Sequence, residues 1–124
     1  MRVGAWAAFA LVGLARAFGR LAAATDGEAK LVADAMRAHP YHVGGPGRPD
    51  SELMAAVPGL IDKEGAEAVV AIGLPDGRGL AVKIADGHRA GRVVAAAALR
   101  PLGLDAAALD ALADVPVLGH GETV

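Results

Sequence analysis

The sequence predicts an α+β fold in which helices flank an antiparallel hairpin of two or three strands. Three observations lead to this prediction. Apolar residues recur at helical spacing over 8–23, the segment 60–85 changes to short β-rich runs around a turn, and an alanine-rich segment with a cap follows from residue 86. Helices, then strands, then helices again is the order expected of an α+β domain.

Composition sets limits on the protein class. A chain of 124 residues favours a single domain over 1–124, and the residues are 54% hydrophobic but only 3% aromatic, so small aliphatic side chains must form the core. The absence of cysteine excludes disulfides, thiolate catalysis and Cys-ligated zinc. A net charge of -2 without a basic stripe argues against nucleic-acid binding. No run of about 18 apolar residues lacks a charge, which argues against a membrane span, and we expect a cytoplasmic protein.

The first element is predicted as a helix over 8–23. One face carries apolar residues at helical spacing and the opposite face carries two arginines; the apolar residues are Leu11, Leu14, Phe18 and Leu21. A second interpretation stays open, because Met1-Arg2, the apolar run 3–15 and the small residues around Arg16 also resemble a secretory signal.

A second helix is predicted to begin at a capping box formed by Thr25 and Glu28 and to end before Pro40. The glycine- and proline-rich segment 39–49 is predicted as a loop, with a tight turn over 44–47 that aims Arg48 and Asp50. His39 and His42 lack further ligands at workable spacing, so no metal site is predicted. A short helix over 51–56 follows, capped by Asp50 or Ser51.

The next residues have the pattern of strands. Residues 60–64 form a short extended stretch, 66–74 is apolar on both faces and reads as a central strand, 75–79 is a turn, and 80–85 alternates. A helix over 88–99 and a last helix capped by Asp105 through residue 113 complete the prediction, with a frayed tail over 115–124. So few strands rarely make a stable sheet alone, which suggests that further structure contributes.

The candidate for chemistry is the run Lys63-Glu64-Gly65 ahead of the apolar strand. A lysine at this position is ordinarily solvated. Enzymes of the serine β-lactamase class, however, carry a Lys-Ser/Thr-Gly triplet on the strand that lines their active site. The run in this chain has that layout with Glu64 in place of the hydroxyl residue.

Three longer blocks give this run a context. They are AMRAHPYHVGGPGRPDSELM over 35–54, DKEGAEAVVAIGL over 62–74 and GLAVKIADGHRA over 79–90. Together with LARAFGRLA over 14–22 they resemble the C-terminal portion of the asparaginase II family, the β-lactamase-like asparaginases. The resemblance extends from about residue 9 to residue 102. It implies a partial serine β-lactamase/glutaminase-like fold, hydrolysis of L-asparagine to L-aspartate and ammonia, asparagine as the small-molecule partner, and no cofactor.

The resemblance also implies site residues. Lys63 corresponds to the lysine of the substrate pocket, and Arg48, Asp50 and Glu67 lie in the matching blocks as substrate-binding candidates. The family's Ser-x-x-Lys nucleophile element has no counterpart, since Ser51 is the only serine and no lysine follows it at that spacing. Val3-Gly4-Ala5-Trp6 stands where the family has a cysteine-containing turn, so a cysteine-dependent metal site is not expected.

Several interpretations of the missing nucleophile remain open. The chain is a truncated product, one part of a split enzyme, or a non-catalytic remnant that binds a partner or a second copy through a bare sheet surface. The signal-like start adds a small secreted module as an alternative.

Overall fold

The computed structural model describes residues 10–116 and 118–123, and contains helices around a small antiparallel sheet. The α-helices of these residues are α1 Leu11–Ala22, α2 Gly27–Ala38, α3 Pro40–Val43, α4 Pro49–Ala56, α5 Gly91–Leu99 and α6 Ala106–Ala113. Short 3₁₀ turns, His88–Ala90 and Arg100–Leu102, flank α5. This mixture of helix and antiparallel sheet confirms the predicted α+β class.

The main sheet has three strands in the order β1-β2-β3, with β1 at Ile61–Gly65, β2 at Val69–Gly73 and β3 at Gly79–Lys83. Both pairings are antiparallel. The predicted central strand is confirmed, because β2 pairs on both sides and is buried along almost its whole length. The predicted turn after it is confirmed too: Leu74 N–H donates to the Arg78 carbonyl at 2.8 Å.

One face of the sheet carries the larger core. Apolar side chains from β2 meet those of α4, α5 and α6 there, and the buried members are Leu53, Met54, Val57, Leu60, Val70, Ile72, Leu74, Ala95, Ala96, Leu99, Leu109 and Leu112. Small alanines on α5 let this helix approach the strands closely. Aliphatic packing without aromatics therefore forms this larger core, as the composition predicts.

The opposite face is covered by α1 and α2 and is packed differently. A Cβ built on Gly79 would lie 2.7 Å from the Ala15 carbonyl carbon, and one built on Gly73 would lie 2.8 Å from the Ala22 Cβ. Such distances leave no room for a side chain. The α1 backbone thus lies directly against glycines of β2 and β3, and only a smaller cluster around Ile61 and Ala33 fills the remainder of this face.

Several local predictions are corrected by the structure. The capping box is wrong: Asp26 is the N-cap of α2 and makes no side-chain capping bond, and the chain enters the helix through a positive φ at Gly27. Neither Asp50 nor Ser51 is the helix cap, because α4 begins at Pro49, which suits the first helical position, and its N-cap is Arg48. Asp105 does cap α6, by accepting from Ala107 N–H at 2.9 Å.

Two segments have more secondary structure than expected. The predicted loop 39–49 contains the helical turn α3, since Pro40 is tolerated at a first helical position. The tail, predicted as frayed, carries a short hairpin in which β4 Leu118–Gly119 pairs with β5 Glu122–Thr123. The N-terminal segment 1–9, including the signal-like start and Val3-Gly4-Ala5-Trp6, lies outside the described residues.

No helix within the described parts of the chain has both the length and the apolar character needed to cross a bilayer.

Candidate functional site

The predicted tight turn over 44–47, just before α4, positions the candidate site residues Arg48 and Asp50. Gly45 and Gly47 have positive φ values of 106° and 69°, a conformation that glycine adopts at little cost. Arg48 N–H closes the turn on the Gly45 carbonyl at 3.3 Å. Arg48 therefore precedes the helix and Asp50 lies in its first turn, next to the open edge of β1.

Asp50 is a buried carboxylate, only 1% exposed. Its Oδ2 accepts from Lys63 Nζ at 3.2 Å and lies 3.5 Å from Glu64 N–H, while its Oδ1 accepts from Ser51 N–H at 3.0 Å. Gly44 packs so closely on this group that a Cβ there would lie 2.5 Å from the Asp50 Cγ. The carboxylate is thus held in place from three sides.

A second ion pair runs beside the first. Arg48 donates to Glu64 Oε2 at 3.0 Å, with the Arg48 side chain 55% exposed and that of Glu64 10% exposed. The two pairs place an arginine and a lysine, each beside a carboxylate, on the surface where α4 meets the edge of β1. We call Arg48, Asp50, Lys63 and Glu64 the charged cluster.

The predicted site residues are not all brought together. Arg48, Asp50 and Lys63 meet in the charged cluster, together with Glu64 of the Lys-Glu-Gly run. Glu67 lies exposed in the turn between β1 and β2, where its backbone carbonyl accepts from Lys83. Among the described residues no hydrogen bond or ion pair joins the Glu67 side chain to the cluster, because Glu67 lies in the turn between β1 and β2.

Ser51 is the only hydroxyl of its type in the chain and is fully buried at 0% exposure. Its Oγ donates to the Pro40 carbonyl at 3.0 Å and so ties α4 to α3. A nucleophilic serine must reach the substrate and have a base beside it. Ser51 is inaccessible and its hydroxyl bonds to a backbone carbonyl, so Ser51 has a structural role.

Asp62 lies beside the charged cluster and was not among the residues predicted from the sequence. It is 2% exposed and stands opposite Ile72 in the strand register, so its side chain shares the core face. Burial raises the pKa of Asp62 to about 8, with a further contribution from the negative charges of Asp50 and Glu64. The alternation of Leu60, Asp62 and Glu64 carried the signal, because period-2 alternation puts all three on one face.

Arg92 and Glu52 were missed as well. Arg92 on α5 donates to Glu52 Oε2 on α4 at 2.5 Å. Arg92 also lines a narrow pocket together with Asp62 and Glu64, and apolar side chains of α4, β2, α5 and α6 complete its wall. The pocket offers about 20 Å³ to water-sized molecules, room for about one water. No molecule much larger than water therefore fits in this pocket.

His39 and His42 lie elsewhere, with their rings edge to face at a centroid distance of 5.5 Å. They line a shallow groove between α2 and α3 whose other walls are Val32, Ala35, Met36 and Val43. Within residues 10–116 and 118–123, no group of three or more His, Asp or Glu side chains is arranged to hold a metal ion.

Comparison with known proteins gives the family. A family model described as L-asparaginase II matches residues 5–124. No curated protein matches the sequence significantly. The match includes the blocks that hold Arg48, Asp50, Lys63 and Glu64, and it extends beyond the blocks recognised in the sequence to both ends of the described structure. The chain therefore belongs to the L-asparaginase II family.

Proposed function

We propose that this chain takes part in the hydrolysis of L-asparagine to L-aspartate and ammonia, and that the charged cluster binds the substrate. The observation that carries the proposal is the family match together with the meeting of Arg48, Asp50, Lys63 and Glu64 at one edge of the sheet. These residues come from two separate blocks of the sequence, 35–54 and 62–74, and the folded chain brings them together.

The chemistry of the cluster suits an amino-acid amide. The α-carboxylate of asparagine needs a cation, and the half-exposed Arg48 and Lys63 side chains supply two. The α-ammonium group needs an anion, which Glu64 supplies at 10% exposure. A zwitterionic substrate would exchange these intramolecular ion pairs for equivalent pairs with itself, so little electrostatic energy is lost on binding.

The same residues do not supply a nucleophile. The chain has one serine, and it is buried against Pro40. In the proposed function these residues bind and orient the substrate, and the attacking serine of the acyl-enzyme route is not among them. Lys63 stays the pocket lysine of this proposal, and Glu67 belongs to it only through the family resemblance.

Substrate binding can be tested on the purified chain by NMR titration. L-Asparagine should shift the backbone amide resonances of residues 48–50 and 62–65 saturably. Lys63→Met should weaken this response at least tenfold. Lys83→Met is the matched control, because Lys83 lies on β3 of the same sheet and contacts only backbone carbonyls. An unchanged response in Lys63→Met, or no response in the wild type, would contradict the binding role.

Ammonia release from L-asparagine tests the second half of the proposal. The purified chain should release none above the rate of a heat-denatured sample. Sustained turnover by the pure chain would show that the nucleophile is present after all. If the chain releases no ammonia, a search of the coding DNA upstream of Met1 for an in-frame Ser-x-x-Lys element distinguishes a truncated enzyme from a non-catalytic remnant.

The bare sheet surface suggested by the sequence is wrong, because α4, α5 and α6 pack on one face of the sheet and α1 and α2 cover the other. A different surface supports the partner-binding alternative. Four large apolar side chains of α1 and α2 are strongly exposed, namely Leu11, Val12, Leu31 and Val32. Exposed apolar surface favours association. Sedimentation equilibrium of the pure chain across a hundredfold concentration range would detect self-association, and a strictly monomeric result would remove the homo-oligomer version of this alternative.

A further inference from the structure

Helix α2 presents a largely apolar stripe to solvent. Glu28, Val32, Ala35 and His39 follow one another at spacings of four, three and four residues, so they share one side of the helix. All four are exposed. Fully buried Ala33 lies on a different side, the one with which α2 packs on the rest of the protein. We call these four exposed residues the α2 stripe.

The surface around the α2 stripe has both a projection and a recess. In the N-terminal half of the helix, Leu31 is 70% exposed and Val32 is 50% exposed. Beside the C-terminal half lies the shallow groove between α2 and α3, which has a volume of about 470 Å³ and is lined by Met36 and Val43 with the two histidines. A projecting apolar side chain and an apolar recess on one surface allow two copies of that surface to fit each other.

The two ends of the α2 stripe differ in hydrogen-bonding character. Glu28 at the N-terminal end offers carboxylate oxygens, which only accept, whereas His39 and His42 at the other end offer ring N–H donors. Glu28 and His39 are 11 residues apart, which is roughly 16 Å along a helix, so they do not pair within one chain. A second α2 helix that runs in the opposite direction would bring the two ends together.

The other charged side chains of α2 do not compete for these ends. Lys30 pairs with Asp34, and Arg37 pairs with Asp34 and also donates to the Ala22 carbonyl at 2.5 Å. The three pairs lie off the stripe, because residues 30, 34 and 37 follow one another along another side of the helix. The stripe is therefore apolar between an acidic end and a histidine end.

We propose that two copies of this chain associate through α2, antiparallel about a twofold axis, with Leu31 of each copy in the groove of the other and Glu28 of each opposite His39 of the other. In a twofold interface one patch meets itself, and every contact occurs twice. The alignment that pairs Glu28 with His39 also pairs Val32 with Ala35, because both pairs are centred between residues 33 and 34. The small side chain of Ala35 lets the two helices approach closely.

A second copy fits this surface because the chain itself carries both halves of the interface. Projection and recess, acceptor and donor, all lie on one helix and its neighbouring turn. The proposal gives the homo-oligomer alternative a defined surface, and it does not depend on asparagine binding, since none of these residues belongs to the charged cluster. An interface built on one helix pair is small, so the dimer should be weak.

Sedimentation equilibrium of the full chain, from about 10 μM to about 1 mM, tests the interface in the range where small interfaces dissociate. The wild-type mass should rise toward that of a dimer and go no higher. Ala35→Glu places a charge without a partner at the centre of the contact, and should raise the dissociation constant at least about tenfold. Ala97→Glu is the matched control, because Ala97 is an exposed alanine of α5 on the other side of the sheet. It should dimerise as the wild type does, and circular dichroism should show both variants folded.

Charge exchange tests the antiparallel alignment. Glu28→Lys alone and His39→Glu alone should each weaken the dimer, because like charges or two acceptors then face each other across the axis. The double variant should recover the wild-type dissociation constant, because a lysine again faces a carboxylate. A wild type that is monomeric throughout would overturn the proposal and leave the stripe to a different partner. A mass above that of a dimer, a dimer unaffected by Ala35→Glu, or a double variant no tighter than the single ones would also overturn it. Asparagine titration at Lys63 is a separate readout, so failure of either proposal is recognised independently.

Discussion

The ammonium of Lys63 lies 3.2 Å from Oδ2 of Asp50, and the two ends of this pair are in different environments. The Lys63 side chain is 47% exposed, whereas that of Asp50 is 1% exposed. Water can replace Asp50 as a partner for Lys63, but it cannot easily replace Lys63 as a partner for Asp50. Removing one residue of the pair should therefore cost more than removing the other.

Lys63→Met should destabilise the protein by about 2 kcal/mol, because it leaves a buried carboxylate without its cation. Asp50→Asn should cost no more than about 1 kcal/mol, since the amide oxygen still accepts from Ser51 N–H and the lysine returns to water. Urea denaturation at pH 7 would measure both. Lys30→Met is the control, because Lys30 pairs with Asp34 on the exposed surface of α2 and should cost about 0.3 kcal/mol. Equal losses for the two members of the Asp50–Lys63 pair would contradict this account.

Gly44→Ala should destabilise the protein by about 2 kcal/mol. The new Cβ would lie 2.5 Å from Asp50 Cγ and 2.6 Å from Ser51 Oγ, and both of these side chains are buried. Gly13→Ala in α1 is the matched substitution in open space, and should stabilise by roughly 0.5–1 kcal/mol through helix propensity. Thermal unfolding followed by circular dichroism would separate the opposite signs. A loss of stability in both variants would refute the packing argument.

Gly79→Ala should also be strongly destabilising, by about 3 kcal/mol or more. Its Cβ would lie 2.7 Å from the Ala15 carbonyl carbon and 3.1 Å from Gly19 N, so helix α1 must lift from the sheet. Gly65→Ala, on β1, meets only ordinary contacts with Val69 at 3.6 Å and should be close to neutral. Hydrogen exchange would locate the effect, with loss of protection expected in α1 and not in α5. Uniform loss of protection across the chain would contradict a local effect at the contact between α1 and the glycines of β2 and β3.

Asp62→Asn should change the pH dependence of stability. The pKa of Asp62 is about 8 in the folded protein against an ordinary value of 3.8, so between these pH values the folded state keeps a proton that the unfolded state has released. Raising the pH through that window therefore favours unfolding, by up to about 1.4 kcal/mol per pH unit, and the effect levels off above the folded pKa. Asparagine at this position does not titrate.

The difference in stability between Asp62→Asn and the wild type isolates this effect from other carboxyls. It should grow in favour of the variant from about pH 4 to about pH 8. Guanidinium denaturation at several pH values would measure it. A difference that stays flat across this window would show that Asp62 is ionised in the folded protein.

Much of the fold could be predicted from local patterns. Apolar periodicity located α1, the alanine-rich run located α5, and the Asp105 cap located α6. The composition of 66–79 located β2 and the turn after it, because these features depend on residues close together along the chain. The capping box at Thr25 failed, since the angle at which the chain enters α2 depends on Gly27 and on contacts with α1 and not on the four-residue spacing alone.

Some features of the candidate site follow from the sequence, and others follow only from the tertiary structure. The sequence by itself determined the family, the presence of Lys63-Glu64-Gly65 ahead of a buried strand, and the lack of a Ser-x-x-Lys element, because each of these is a property of residue order. Only the tertiary structure decided that Asp50 and Arg48 reach Lys63 and Glu64, that Glu67 does not, and that Asp62 and Arg92 share a buried pocket. Those relationships join residues 13 to 30 positions apart, and they depend on how α4 and α5 pack on the sheet, which no local pattern specifies.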